Sequence, residues 1–157
     1  MNVEENIMFP LTMFTNQSYE EKIERVNNCL ERVNLQNNNK LKISELSGGM
    51  TKRVSIARAI VMKPKYLLCD EPNSGLDPRT AIIIDNLIKE ISVEDDITTI
   101  VNTHDMNSVM EIGDSIAYIN NGKISWTGNK EELLQSNNEQ LNNFVFASEL
   151  FKRLKNT

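Results

Sequence analysis

Apolar side chains recur along this chain at two rhythms, and each rhythm points to an element. Ile23, Val26, Leu30 and Val33 return every three or four residues, the interval that places side chains on one helical face. Ser18 and Glu21 stand ahead of them at capping-box spacing, so a helix is predicted from there to about Leu35. Gln36-Asn37-Asn38-Asn39 reads as a polar loop with no mechanism of its own. Met50, Val54, Ala57 and Val61 form a second stripe behind Ser47-Gly48-Gly49. Lys63-Pro64 ends it, because a residue before proline avoids the helical region.

The rhythm then changes. Tyr66-Leu67-Leu68-Cys69 is a continuous apolar run, the pattern of a strand buried on both faces, and it stops at Asp70-Glu71-Pro72. Asp77-Pro78 is a helix start, cap first and proline in the first turn. Ala81, Ile84, Leu87, Ile88 and Ile91 supply that helix's core face. Ile97 to Thr103 is a β-branched strand ending at His104. Met106, Val109, Met110 and Ile112 predict a short helix with Gly113 just past its end. Ser115–Asn120 and Lys123–Thr127 predict a hairpin around Asn121-Gly122. Beyond Gly128 the chain reads as helical, with Leu133, Leu134, Leu141, Phe144, Val145, Ala147, Leu150 and Phe151 as core positions. Alternating helix and buried strand gives an α/β fold with a largely parallel sheet. Ligands of such sheets sit beyond the carboxyl ends of the strands, which places Asp70, Glu71 and His104 on one edge.

Composition adds limits. At 157 residues the chain is of single-domain length. A net charge of −5 argues against a nucleic-acid partner, whose phosphates would repel it. Cys29 and Cys69 read as small buried hydrophobes in a reducing compartment. The opening MNVEENIMFPLTMF lacks the basic start and apolar run of a signal peptide. No apolar run approaches the ~20 residues of a membrane helix, so the expectation is a soluble chain that docks on a membrane partner.

Three stretches carry candidate chemistry. A helix opening on Ser47-Gly48-Gly49 offers free N–H groups and a partial positive charge to an anion, with no side chains in the way. The Ser47 hydroxyl can cap the helix or donate to a phosphate oxygen, and the same residues also fit an ordinary helix start. Asp70 can hold Mg²⁺ through water while Glu71 positions or deprotonates an attacking water; an acidic loop after a strand would look the same. His104 fits a contact to a transferring phosphate or a structural histidine. Ser74-Gly75-Leu76-Asp77 is a turn into a helix.

In this order, LSGGM (Leu46 to Met50), YLLCDEP, SGLDP and a strand ending in THD resemble the ATP-binding cassette (ABC) ATPases. The resemblance covers essentially the whole chain. It implies a P-loop NTPase-like, mostly parallel sheet flanked by helices, with the P-loop strand and β-subdomain missing. It divides the chain into a helical and signature region (1–65), a core with Walker B strand, D-loop and switch histidine (66–128), and a C-terminal helical extension (129–157). The implied roles are the signature in trans for Ser47, Gly48 and Gly49, Mg²⁺ through water for Asp70, catalysis for Glu71 and His104, and the D-loop for Ser74, Gly75 and Asp77. ATP and Mg²⁺ are the implied cofactors. A second ATPase copy and a membrane permease are the implied partners, at the cytoplasmic face of the membrane. No GxxxxGK[ST] occurs in the chain, so no ATPase activity is expected of it in isolation.

Within the family, Met50 in LSGGM, the NVEENIMFPL opening and the GKI hairpin resemble the phospholipid-trafficking (Mla or Mce-associated) ATPases, which implies phospholipid cargo. The alternatives are a non-catalytic remnant that only binds a partner ATPase or permease, a lipoprotein-release or small-solute importer ATPase, and a DNA-repair ATPase.

Overall fold

A computed structural model describes residues 1–147. The chain divides into two compact units, Met1–Thr103 and a second that opens at His104. The first unit contains α1 (Val3–Phe14), α2 (Tyr19–Arg32), a 3-10 turn (Ile43–Glu45), α3 (Gly48–Ile60), β1 (Tyr66–Asp70), α4 (Pro78–Glu94) and β2 (Thr98–Asn102). β1 and β2 pair in parallel, Tyr66 opposite Thr98 through Asp70 opposite Asn102.

Helix α1 escapes the sequence reading. Asn2 and Glu5 form a capping box, Glu5 N donating to Asn2 Oδ1 at 2.8 Å and Asn2 N to Glu5 Oε2 at 2.9 Å. Pro10 lies inside the helix and costs it one i→i−4 bond. Val3, Ile7 and Leu11, fully buried at successive turns, hold it in place. The Asn2…Glu5 interval was the available signal, and Pro10 masked it.

α2 begins at its predicted cap, where Glu21 N donates to Ser18 Oγ at 3.2 Å, and buries Val26 and Leu30. The Asn-rich loop has a structural role after all. Asn38 Nδ2 donates to the carbonyls of Leu35 and Gln36 at 3.1 and 2.9 Å. Val3 N and Glu4 N donate to the Leu41 and Asn39 carbonyls, tying the loop to the start of α1. Val54, Ala57 and Ile60 from α3 join Ile84, Leu87, Ile88 and Ile91 from α4 in one core, against which Cys69 and Val101 pack; Met50 is only partly buried there. Ala81 is half-buried. Cys29 is buried and Cys69 half-buried.

The expectation for β1 needs correction. Leu67 is buried, but Tyr66 and Leu68 are 69% and 74% exposed. Among the described residues β1 pairs only with β2, and the helical core covers one face of the pair. The other face carries Tyr66, Leu68 and Asp70 from β1 and Thr98, Ile100 and Asn102 from β2, all exposed.

In the second unit α5 (Met106–Ile112) precedes the antiparallel hairpin β3 (Ile116–Asn120) and β4 (Lys123–Gly128), then α6 (Lys130–Gln135) and α7 (Glu139–Val145). The hairpin turns where predicted, with Asn121 and Gly122 at φ 50° and 71°, as a two-residue loop requires. Leu133, Leu141, Val145 and Phe146 form its core. Phe144 and Ala147 are exposed rather than buried. α7 ends at Val145, so Phe146 folds inward instead, and the Phe144 ring leans on Tyr118 with centroids 5.5 Å apart. Leu150 and Phe151 lie outside the described residues.

Candidate functional site

The start of α3 is built as the sequence suggests. Ser47 is extended (φ −68°, ψ 163°), and its Oγ accepts from Met50 N at 3.3 Å. The capping role is therefore observed. A hydroxyl that accepts in this way keeps its own proton for another acceptor. The first turn of α3 holds no acidic residue, so nothing on the helix neutralises its positive end. The two glycines have a second reason to be there. A Cβ on Gly49 would lie 2.7 Å from Thr80 Cγ2, and one on Gly48 would lie 3.3 Å from Leu76 Cδ2. The helix end thus packs directly on the turn that leads into α4.

The acids stand at the carboxyl end of β1, as expected. Asn102, opposite Asp70 on β2, donates from Nδ2 to Asp70 Oδ1 at 2.7 Å. Glu71 has φ 46°, a left-handed conformation that costs a residue with a Cβ about 1–2 kcal/mol. Three hydrogen bonds hold its backbone there. Glu71 N donates to the Asn102 carbonyl at 2.9 Å, and Ser74 N donates to the Glu71 carbonyl at 3.2 Å. Lys52 Nζ, from α3, reaches the same carbonyl at 3.0 Å.

The following turn is anchored from below. Asn73 and Asp85 are buried, 6% and 3% exposed, and Asn73 Nδ2 donates to both Asp85 carboxylate oxygens at 3.2 Å. Leu76 N donates to the Asn73 carbonyl at 3.3 Å, and Gly75 turns at φ 78°. Asp77 caps α4. Its Oδ1 accepts from Arg79 N and Thr80 N at 3.1 Å each, and its Oδ2 from the Thr80 hydroxyl. The Thr80 hydroxyl, then the Thr80 amide, hold the Asp77 carboxyl below its usual range against an opposing effect of desolvation.

The first unit therefore gathers Ser47, Gly48 and Gly49 against the Leu76–Thr80 turn, and joins Asp70, Glu71 and the 74–77 turn through shared backbone bonds. His104 opens the second unit, two residues beyond Asn102 in the chain, where Asp105 caps α5 by accepting from Asn107 N at 2.9 Å. Sequence reasoning gave no role to Lys52, Asn73, Asp85 or Asn102. Asn102 alone left a trace, as an amide closing a β-branched strand. The others carry no signal without the contacts.

Comparison with known proteins bears on the family resemblance. Residues 1–74 match the family model described as ABC transporter. The methionine import ATP-binding protein MetN of Clostridium tetani is 39% identical over 150 residues, covering 95% of this chain and 46% of its own. The phosphonates import ATP-binding protein PhnC 2 of Haloarcula marismortui is 39% identical over 121 residues, covering 77% and 45%. A bacterial ABC transporter cassette, solved as a dimer, superposes with a TM-score of 0.72 at 33% identity, over 82% of this chain and 56% of that one. Over the part they share, the chain is similar in sequence and fold to ABC transporter ATP-binding proteins. It spans less than half the length of these two ABC import proteins. A post-hydrolysis dimer of the same cassette was solved with ADP and Pi bound. An inward-facing transporter of putative metal-chelate type shares the fold, with a TM-score of 0.81 at 22% identity. The narrower resemblance to phospholipid-trafficking ATPases finds no support among these ABC relatives, which are named as methionine and phosphonate import proteins. Among the described residues no helix is long and apolar enough to cross a membrane.

Proposed function

We propose that this chain belongs to the ATP-hydrolysing subunit of an ABC importer for a small polar solute, working as a dimer at the cytoplasmic face of the membrane beneath a permease. The observation that carries the proposal is the uncapped-by-charge, glycine-lined start of α3 resting on the turn that follows Asp70 and Glu71. The importer assignment is favoured over phospholipid transport by the relatives' names as phosphonate and methionine import proteins.

In this reading Gly48 and Gly49 present backbone amides to the γ-phosphate of ATP held by the second copy, and the Ser47 hydroxyl donates to it while still capping α3. Glu71 orients and polarises the attacking water. His104 contacts the same phosphate. Ser74, Gly75 and Asp77 lie along the dimer seam, with Asp77 fixing the start of α4 that the signature glycines touch.

Mg²⁺ fits the donor set. Among the described residues no three or more His, Cys, Asp or Glu side chains gather as a metal cage. Asp70 offers a single exposed carboxylate at the strand end, which suits an ion that keeps its waters and is held largely by substrate phosphates. When bound, Mg²⁺ neutralises developing charge on those phosphates.

The test uses the complete gene product with its permease in liposomes. Gly49→Glu is expected to abolish Mg²⁺-dependent ATP hydrolysis while the subunit still binds the permease; unchanged hydrolysis would exclude the phosphate clamp. ATP-driven uptake of labelled methionine or a phosphonate supports the importer assignment, and ATP-driven transfer of labelled phospholipid instead would overturn it.

A further inference from the structure

The exposed face of the β1–β2 pair changes character along its length. It begins with Tyr66 and Thr98, continues with Leu68 and Ile100, and ends with Asp70 and Asn102. The last pair is joined by a side-chain hydrogen bond, from Asn102 Nδ2 to Asp70 Oδ1 at 2.7 Å. An ionised carboxylate only accepts hydrogen bonds, so the Asn102 amide must present its NH₂ group. This bond spends an amide at a strand end where a β-branched residue would better suit the strand. The same residue's carbonyl accepts the Glu71 N–H at 2.9 Å. Asn102 therefore touches both acids, one with its side chain and the other with its backbone.

We infer that Asn102 is a positioning residue for the metal-organising carboxylate: its amide fixes the rotamer of Asp70 by occupying one carboxylate oxygen and leaves the other for the hydrated Mg²⁺ of the bound nucleotide. The inference rests on the ATPase reading above. Residues that orient a metal-organising carboxylate affect metal affinity by about 10–100-fold when buried. For this exposed pair, where water competes for both partners, the effect is expected at the lower end, about 3–10-fold.

The experiment measures Mn²⁺ binding by electron paramagnetic resonance, with the non-hydrolysable analogue AMP-PNP and the complete gene product, so that binding is read without turnover. Asn102→Val removes the amide and keeps the carbonyl that holds Glu71. It is expected to weaken the Asp70-dependent Mn²⁺ affinity about 3–10-fold, with the melting temperature nearly unchanged because the pair is exposed. The exchanged variant Asn102→Asp with Asp70→Asn keeps a hydrogen-bonded pair but moves the charge to β2. Because it takes the carboxylate off β1, it is expected to lower Mn²⁺ affinity as Asp70→Asn alone does, and affinity restored by the exchange would show that the carboxylate's place on β1 is not what the metal needs. Mn²⁺ affinity equal to wild type in Asn102→Val, or restored in the exchanged variant, overturns the inference while leaving the ATPase reading intact. Wild-type Mn²⁺ binding that is insensitive to Asp70→Asn overturns the metal role of Asp70 itself, and this inference with it.

Discussion

Gly49 lies so close to Thr80 that a Cβ in its place would sit 2.7 Å from Thr80 Cγ2. A glycine pair in the first turn of a helix is thus required twice, once by packing inside the chain and once by the phosphate it is proposed to meet. The two demands separate experimentally. Gly49→Ala gains up to about 1 kcal/mol of helix propensity but forces an overpacked contact costing about 1–3 kcal/mol. A net destabilisation is expected in urea unfolding. Adding Thr80→Ser removes the clashing methyl, keeps the hydroxyl that serves Asp77, and should recover the loss. If stability returns in the double variant and ATP hydrolysis does not, the phosphate demand stands on its own.

Glu71→Gln should reduce ATP turnover in the complete gene product by about 10²–10⁴-fold, the usual worth of a positioned general base. Nucleotide binding should persist, since the amide keeps the side chain's size and the three backbone bonds that hold φ at 46° do not involve it. Single-turnover hydrolysis compared with equilibrium binding of ATP checks this. Near-normal hydrolysis in the variant would remove Glu71 from the chemistry.

How much of this was legible beforehand follows from where the information sits. Caps are local, so Ser18, Ser47 and Asp77 announced α2, α3 and α4, and Asn121-Gly122 announced the hairpin. Helix α1 was hidden because a proline argues locally against a helix, while the burial of Val3, Ile7 and Leu11 that overrides it is tertiary. Tyr66 and Leu68 misled for the opposite reason. An apolar run states a tendency to be covered, and only the neighbours of a strand decide whether it is. At the site, Asp70, Glu71 and the glycines stood out by residue type and order. Lys52 and Asn102 did not, because what they contribute is a contact to backbone or carboxylate across 19 and 32 positions of sequence.

Asn73 and Asp85 give a stability prediction that bears on the site. Both are buried, and Asn73 Nδ2 donates to both Asp85 carboxylate oxygens at 3.2 Å across 12 positions, from just before the 74–77 turn to α4. Replacing Asn73 with Ala removes both donors from a buried carboxylate, and hydrogen bonds to charged groups contribute about 1.5–3 kcal/mol. A loss of that order is expected in chemical denaturation. Asn73→Asp should be worse, since it sets a second acid against Asp85 in a buried setting. Equal stability of the Ala and Asp variants would show that the pair does not depend on the amide donors.

Asp77 sets the acid limit of α4. Its carboxylate accepts the Thr80 hydroxyl and the amides of Thr80 and Arg79, and each of these bonds favours the charged form, lowering the pKa in the folded chain. The unfolded chain binds the proton more readily, so the cap stabilises the fold fully above the free-aspartate range near pH 3.9. That contribution fades as pH falls through the lower folded value. A carbon-detected NMR titration should place the Asp77 midpoint below that of free aspartate. Thr80→Val, which deletes the largest stabilising contact and keeps the backbone amide, should move the midpoint up toward the free value, and the amide of Thr80 should lose protection from exchange at a higher pH than in the wild type. A midpoint that does not respond to Thr80→Val would show that the hydroxyl contact does not favour the ionised cap, and the capping of α4 would then rest on the Arg79 and Thr80 amides.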